Sequence, residues 1–529
     1  MSAALRLVDS TGRPMMSEPR SVHAGADLHN PDLTSWNPVL RSADAEILPE
    51  WSTLVARTRD MGRNNGYAAG AIQTHLDNII GTGLRLSAKP DWRALGLSAD
   101  WAEEWSRNVE ACWRQYADDI DCNSDFSRQL NFAGQLGQGY RSYLTSSELL
   151  GTLEWRKRPG VRYATCVQMV LPDRLGNPLG ASDGPQLRGG VRIDPQTGEA
   201  LGYHIRNGHP NDIGLSGLAP SRFEYVPATT PWGRRRVIHI FDAEQPGQHR
   251  GKPGFASVLS QMRVMDRYQK AALQAAIVNA MYAAVIESDM GSAEVAAALG
   301  GTNPIDGYMK AKSAFAKENG PVHYDGARVT HLLPGEKLNL LSAEHPSAAF
   351  AEFESATLRH IAAGLNLSYE QLSRDYSKTN YSSARASLLE AWRFFMGRRH
   401  QVAARFAAHV YAAWLEEAID LGDVQLPKGA PSFYAAKTAW CRALWIGAPK
   451  GHIDELKEMN ARDIQYRLHT TTLEKLCAEQ GEDWEEVLEQ RARETRRMTA
   501  LGIDPQVLLA AKNRTTTPTE RELSQQETA

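Results

Sequence analysis

Hydrophobic positions along the chain fall into blocks of different period, and each block predicts its own kind of element. From Trp51 to Ile80 apolar residues recur at helical spacing and stop at Gly81 and Gly83. A second helix is predicted from Ala99 to Tyr116, where Trp101, Trp105, Val109 and Trp113 follow at intervals of four, a row suited to core packing. Between Thr152 and Phe241 the period shortens to that of strands (TLEW, YATCVQMVLP, GVRID, EALGYHI, RRVIHIF), with a hairpin turn at Pro195–Gly198. After the breaker GKPG, Phe255 to Glu287 reads as one helix of about 30 residues, roughly 45 Å long.

Residues 288 to about 345 form a Gly/Pro-punctuated insert in which Asp325-Gly326 marks a hairpin. A helix from Ala348 to Gly364 follows, placing the insert between two helices able to pair antiparallel. Gly364 to Ser383 reads as a polar, turn-rich loop. From about Ala384 to Asp420 another long helix is predicted. Its apolar face carries Leu388, Trp392, Phe395, Val402, Phe406 and Val410, and Arg398 and Arg405 flank it with the form of snorkelling side chains. Lys450 to Arg497 is helical and densely charged, Glu482–Glu489 preceding Arg491, Arg493, Arg496 and Arg497, as suits a solvated or subunit-bridging helix. Residues 1 to about 50 lack a sustained period and read as an arm ordered where a neighbour holds it; the tail from Asn513 is polar.

At 529 residues the chain exceeds what one core can serve, so several compact regions are expected. Hydrophobic residues at 42% and charged residues at 23% describe a folded protein. The formal charge of −3, from 59 Lys plus Arg against 62 Asp plus Glu, lacks the footprint of a protein that grips nucleic acid tightly. The first twenty residues hold no apolar run of signal-peptide length, so export is not expected. Ala271 to Ile286 is uncharged but, at 16 residues, short for a membrane span, and reads as a helix buried by protein. Five scattered cysteines without CxxC suggest reduced thiols rather than disulfides or zinc.

No GxxxxGK[ST] phosphate loop occurs, so a P-loop ATPase is not expected; HExxH, GxSxG, GxGxxG and calcium-loop patterns are also missing. His204 with His209 and His323 with His331 do not form ligand spacing. The paired carboxylates Glu103-Glu104, Asp118-Asp119 and Glu416-Glu417 point about 100° apart on a helix and read as solvated faces. No catalytic, cofactor or metal site is expected.

The segment RVIHIFDAEQPGQHRGKPGFASVLSQMRVMDRYQKAALQAAIVNAMYAAVIES resembles the portal proteins of lambda-like tailed phages. So do, in the same order, SWNP, RNNGYAAGAIQTHLDNIIGTGLRLS, LPDRLGNP, LRHIAAGLNLSYEQLSRDYSKTNYSSARASLLEAWRFFMGRR and EQGEDWEEVLEQ, spanning most of Ser35 to Leu501. The resemblance implies a helix-rich mixed α/β (α+β) portal fold assembled as a ring of twelve. It implies an arm at 1–50, a wing at 51–250 and a first stem helix at 251–288. A clip at 289–347, a second stem helix at 348–364 and a tunnel loop at 365–384 follow. A tunnel helix at 385–429, a crown at 430–502 and a polar tail at 503–529 complete it.

As implied partners it gives further copies of the chain, double-stranded DNA in transit, the terminase large subunit, major capsid and scaffolding proteins, and head–tail joining proteins. The implied location is the capsid vertex of the virion, with the host cytoplasm during assembly. On this resemblance Arg374, Lys378 and Arg385 touch DNA phosphates in passing, Asn380 and Tyr381 add uncharged contact, and Ile277, Val278 and Met281 pack between neighbouring stems. A near-neutral channel suits a duplex that must slide. Two alternatives stay open on residues alone: a soluble enzyme with an unrecognised site, which needs a pocket of perturbed titratable groups, and a host DNA-binding protein, which needs a basic patch.

Overall fold

The computed structural model describes residues 23–27, 30–212, 222–281, 285–288, 310, 313–314, 317–318, 322–324, 327–329, 336–339, 348–377, 381–451 and 455–503. Two helices open the body, Ala43–Asn64 and Gly66–Ile79, separated by Asn65, whose side chain accepts from Ala68 N at 3.0 Å and caps the second. The helical stretch expected from Trp51 therefore begins eight residues earlier and is broken once. Asp44 and Ile47 are buried, so the expected arm gives way to packed structure at Ala43.

Helix Ala99–Ala117 follows, Ser98 accepting from Trp101 N at its start. Helix Phe132–Ser146 leads into the strand Glu148–Trp155, the centre of a three-stranded antiparallel sheet with Thr165–Met169 and Val237–Phe241 on its two sides. A second antiparallel sheet runs Leu187–Arg188, Val191–Ile193, Ala200–Arg206, Phe223–Pro227. Its hairpin turns where Pro195–Gly198 predicted one, with Gly198 at φ +75° closing on Asp194 O at 2.8 Å. A separate antiparallel pair joins two distant parts of the chain, Arg85–Ala88 with Ala443–Ile446.

The largest core lies where helix Ala99–Ala117, helix Phe132–Ser146 and helix Arg405–Asp420 meet. Trp113 stands edge-on to Trp414 at 5.2 Å, to Tyr411 at 5.7 Å and to Phe132 at 5.0 Å. Trp105, Val109 and Trp113 are buried as the four-residue spacing requires, and their burial stabilises the fold by about 2 kcal/mol or more each.

Helix Leu259–Met281 and helix Ala348–Gly364 pair antiparallel. Tyr268 stacks on Phe350 at 5.2 Å, while a Cβ on Gly364 would lie 2.4 Å from Val258 at the other end. The expected Phe255–Glu287 helix ends early, because Val285–Ser288 forms a strand that pairs antiparallel with Glu336–Asn339. A distant partner strand outcompetes helical continuation there. Strands Val322–Tyr324 and Ala327–Val329 also pair as expected, their turn Asp325-Gly326 and most of the 289–347 insert lying outside the described residues.

Helix Tyr381–Arg398 passes into a π-helical segment, Arg399–Ala404, and continues as helix Arg405–Asp420. Helices Glu455–Arg467, Leu473–Glu479 and Trp484–Ala500 follow the final strand; the first and last bury no residue. No helix among the described residues is long and apolar enough to cross a membrane.

Candidate functional site

The candidate site is the turn between helix Ala348–Gly364 and helix Tyr381–Arg398, and it is better anchored than a mobile loop. Leu365, Leu367 and Leu372 are buried in the main core, and Ser368 starts the short helix Tyr369–Ser373 with a capping box closed by Gln371. The first half of the expected loop from Gly364 to Ser383 is thus packed structure, because three leucines pull it inward, and residues 374–377 are what is described of the rest.

Helix Gly66–Ile79 is the platform beneath. His75 Nε2 donates to Leu365 O at 3.0 Å, and its ring stands edge-on to Phe394 and Phe395. Burial pushes His75 down to about 4, so it stays neutral while holding the turn. Arg374 ends the short helix at φ +60° and its Nη2 donates to Thr74 Oγ1 at 3.1 Å. That bond gives Arg374 a structural partner while part of its side chain remains exposed. Tyr376 is 59% exposed beside it.

Lys378 and Asn380 lie outside the described residues, and Tyr381 is described by backbone alone, as the first residue of its helix. Arg385 is exposed one turn further on, with Leu389, Arg393 and Met396 following on the same solvent face. Ile277 is half-exposed on the outer part of helix Leu259–Met281, with Leu273 at 63% close by. Val278 and Met281 share that helix, their side chains outside the described set.

Arg398 and Arg399 set this helix on the body, and Arg399 is a key residue that the face pattern missed. Arg399 is buried, and its guanidinium donates to Ile79 O at 2.9 Å, Asn78 O at 2.7 Å and Ala448 O at 2.8 Å. Those carbonyls include the unpaired C-terminal end of helix Gly66–Ile79, where a cation is favoured. Burial without a carboxylate partner lowers it to about 10, still charged at neutral pH. Arg398 is held by Asp242 at 2.7 Å and Tyr143 OH at 3.1 Å.

Behind the sheets lies a buried charge network built by the HRG of GQHRGKPG. Arg250 Nε donates to Glu148 Oε1 at 2.6 Å, and its other nitrogens reach Gly189 O and Pro172 O. His249 Nδ1 meets Asp44 at 2.7 Å, and Gly251 N donates to Glu148 at 2.8 Å. Burial alone would raise the Glu148 carboxyl, but Arg250 and His239 overcome it and hold it at about 2. A carboxylate held ionised by a guanidinium and a backbone N–H on Oε1, with the His239 ring 3.4 Å from Oε2, is an anchor, not a proton donor. The Glu416-Glu417 pair likewise is not a solvated face: Glu417 is buried and accepts from Ala164 N at 2.6 Å and Thr165 N at 2.9 Å.

The antiparallel helix pair and the turn after Gly364, seated on helix Gly66–Ile79, are the elements on which the comparison with known proteins bears. The family model for phage portal protein, lambda family, matches residues 29–399. The chain is 40% identical to the portal protein of Escherichia phage N15 and 39% identical to portal protein B of Escherichia phage lambda, each alignment covering 96% of this chain and 95% of the relative. The chain therefore belongs to the lambda family of phage portal proteins.

Among solved structures it is similar to a chain in the neck of an empty GTA particle computed with C6 symmetry (TM-score 0.44, 14% identical, 84% of this chain and 96% of that one). A chain in the neck of a native GTA particle computed with C12 symmetry scores 0.43 at 12% identity, over 80% and 95%. The family assignment rests on the sequence matches alone.

Proposed function

We propose that the chain is a non-catalytic portal subunit that assembles into a twelve-membered ring at one capsid vertex and conducts double-stranded DNA in packaging and ejection. The collinear match over 96% of the chain carries this reading. In it, residues 51–250 are the wing and the antiparallel pair Leu259–Met281 and Ala348–Gly364 is the stem. The 289–347 insert is the clip that receives the terminase large subunit and the head–tail joining proteins. The helices beyond residue 430 are the crown, facing the capsid interior with its capsid and scaffolding partners. Assembly takes place in the host cytoplasm, and the ring ends in the virion.

Exposed Val264, Leu273, Ile277 and Phe353 on the helix pair support a neighbour-covered stem, since apolar residues at this density on one helix pair favour burial. The turn at 374–380 and Arg385 then face the channel. Electron microscopy of the purified chain should show closed rings with an axial hole; a monomer at micromolar concentration refutes the reading. The protein alone should not hydrolyse ATP. Lys378→Ala with Arg385→Ala should leave rings intact and reduce packaged DNA, Arg374 being left in place because it braces Thr74.

A further inference from the structure

Three aromatic rings from three separate segments stand exposed side by side on the body. Trp155 ends the central strand of the three-stranded sheet at 52% exposure, Trp232 sits in the turn before strand Val237–Phe241 at 60%, and Tyr434 follows the long helix at 38%. One ion pair holds all three. Arg234 Nη1 meets Glu416 Oε2 at 3.1 Å and its guanidinium lies 5.4 Å from the Trp155 ring centre, while Trp232 Nε1 donates to Glu416 Oε1 at 3.3 Å and Tyr434 OH donates to the same oxygen. Lys437 caps the far side, 5.6 Å from the Tyr434 ring centre. Rings fixed in this way lose little freedom on binding, and Trp, Tyr and Arg are the residues that carry binding energy at protein contacts. The surroundings are basic, with Arg156 and Lys157 exposed beyond Trp155 and Arg235 beside the turn.

The same chain carries a second uncovered apolar feature of complementary character. Ahead of helix Ala43–Asn64, Trp36 is 69% exposed, Val39 67% and Leu40 99%, in a segment that also carries Asp27 and Asp32 and ends at Arg41. The root of this arm lies near the Glu148 end of the central strand, because Asp44 binds His249 and Arg250 binds Glu148. The aromatic patch lies at the other end, seven residues and so about 23 Å away. Trp36 lies seven residues ahead of Ala43, a reach of about 23 Å when extended, so the segment meets a patch on another copy where that copy abuts the root of the arm. Within the single chain neither feature covers the other.

We propose that the Trp36–Leu40 segment of one copy docks on the Trp155, Trp232 and Tyr434 patch of the next, as an arm exchange around the ring. The inference rests on the ring reading above. Different surfaces on each side make the contact head-to-tail, the type that closes a cycle. Three half-exposed rings offer about 300 Å² in all, well below the roughly 800 Å² per partner of a standard interface, so the arm reinforces a ring whose main contacts lie elsewhere.

The test places a photoreactive benzoylphenylalanine at position 36 of the full chain and assembles equal amounts of ¹⁴N- and ¹⁵N-labelled subunits. After irradiation, cross-linked peptides should join position 36 to residues 228–236 or 431–437, with about half of the pairs of mixed isotope, as random pairing of copies requires. Same-isotope pairs alone mean that the arm lies on its own body and overturn the proposal, as do cross-links confined to other regions. A second measurement needs no photoreactive residue: Trp36→Ala and Trp232→Ala should each raise the concentration at which rings dissociate by about five- to tenfold. The double variant should be no worse than either single one; independent effects, or none, overturn it. If the parent chain forms no rings, the portal reading falls together with this one. Rings that form without mixed cross-links overturn the arm exchange alone.

Discussion

Arg250→Met should be among the most destabilising single changes in the chain. The side chain is buried, donates to Glu148, Gly189 O and Pro172 O, and lies with its guanidinium 4.2 Å from the ring centre of Trp51. Methionine fills a similar volume but leaves Glu148 as an uncompensated buried charge, which costs about 3–5 kcal/mol. Linkage gives an independent figure. A carboxyl held at about 2 instead of 4.5 contributes about 3 kcal/mol at neutral pH. Because this folded value is depressed, the contribution is present above 4.5 and is lost as pH falls toward 2. Urea unfolding followed by tryptophan fluorescence, at fixed protein concentration because any self-association stabilises by mass action, should show the loss at pH 7. Glu148→Gln should flatten the acid limb of the parent's stability profile. The double variant should cost clearly less than the sum of the singles, since each single strands its partner. An unchanged midpoint for Arg250→Met, or additive singles, would refute the assignment of this pair as a coupled anchor.

Gly251→Ala should be nearly as damaging, about 3 kcal/mol, because the new Cβ would lie 2.2 Å from Ser147 O; the same urea titration reads it. His249 is raised above its ordinary 6.5 by the hydrogen bond to Asp44. Its contribution is therefore full below 6.5 and lost as pH rises through the raised value. Hydrogen exchange at residues 43–50, corrected for intrinsic rate, should quicken between pH 6 and pH 9 in the parent and respond less in His249→Asn. Arg399→Lys should cost about 2 kcal/mol, because an ammonium cannot reach three carbonyls from the same stem, and thermal unfolding at fixed concentration checks it.

Local period made much of the fold readable. Helix Ala348–Gly364 and the hairpin around Pro195–Gly198 lie where the spacing placed them, since each is decided by neighbours within a turn or two. Val285–Glu287 reads as helix from sequence because its partner strand lies some fifty residues away, beyond any local window. The stretch after Gly364 reads as a polar, turn-rich loop because Leu365, Leu367 and Leu372 follow no single period; only the platform helix makes them core. Asp44, Glu148 and Arg250 are far apart in the chain, and no spacing rule links them. The GQHRGKPG run was visible as part of a family likeness, but the reason for its charges needed three dimensions. For the residues proposed to line a channel the sequence offered charge and polarity, and the structure adds a partner for Arg374 and a solvent face for Arg385.

The π-helical segment Arg399–Ala404 gives the long helix an unusual relation to insertion and deletion. Such a segment carries about one residue more than an α-helix needs for the same path. Losing one codon there would let the helix run on as ordinary α, with its backbone hydrogen bonds intact and both halves in their present orientation, whereas the same loss within a regular α-helix turns one half by about 100° about the axis. Arg385 and Arg393 would keep their solvent face while Trp414 stays in the core. A frame-preserving length change that ruins most helices would here be absorbed.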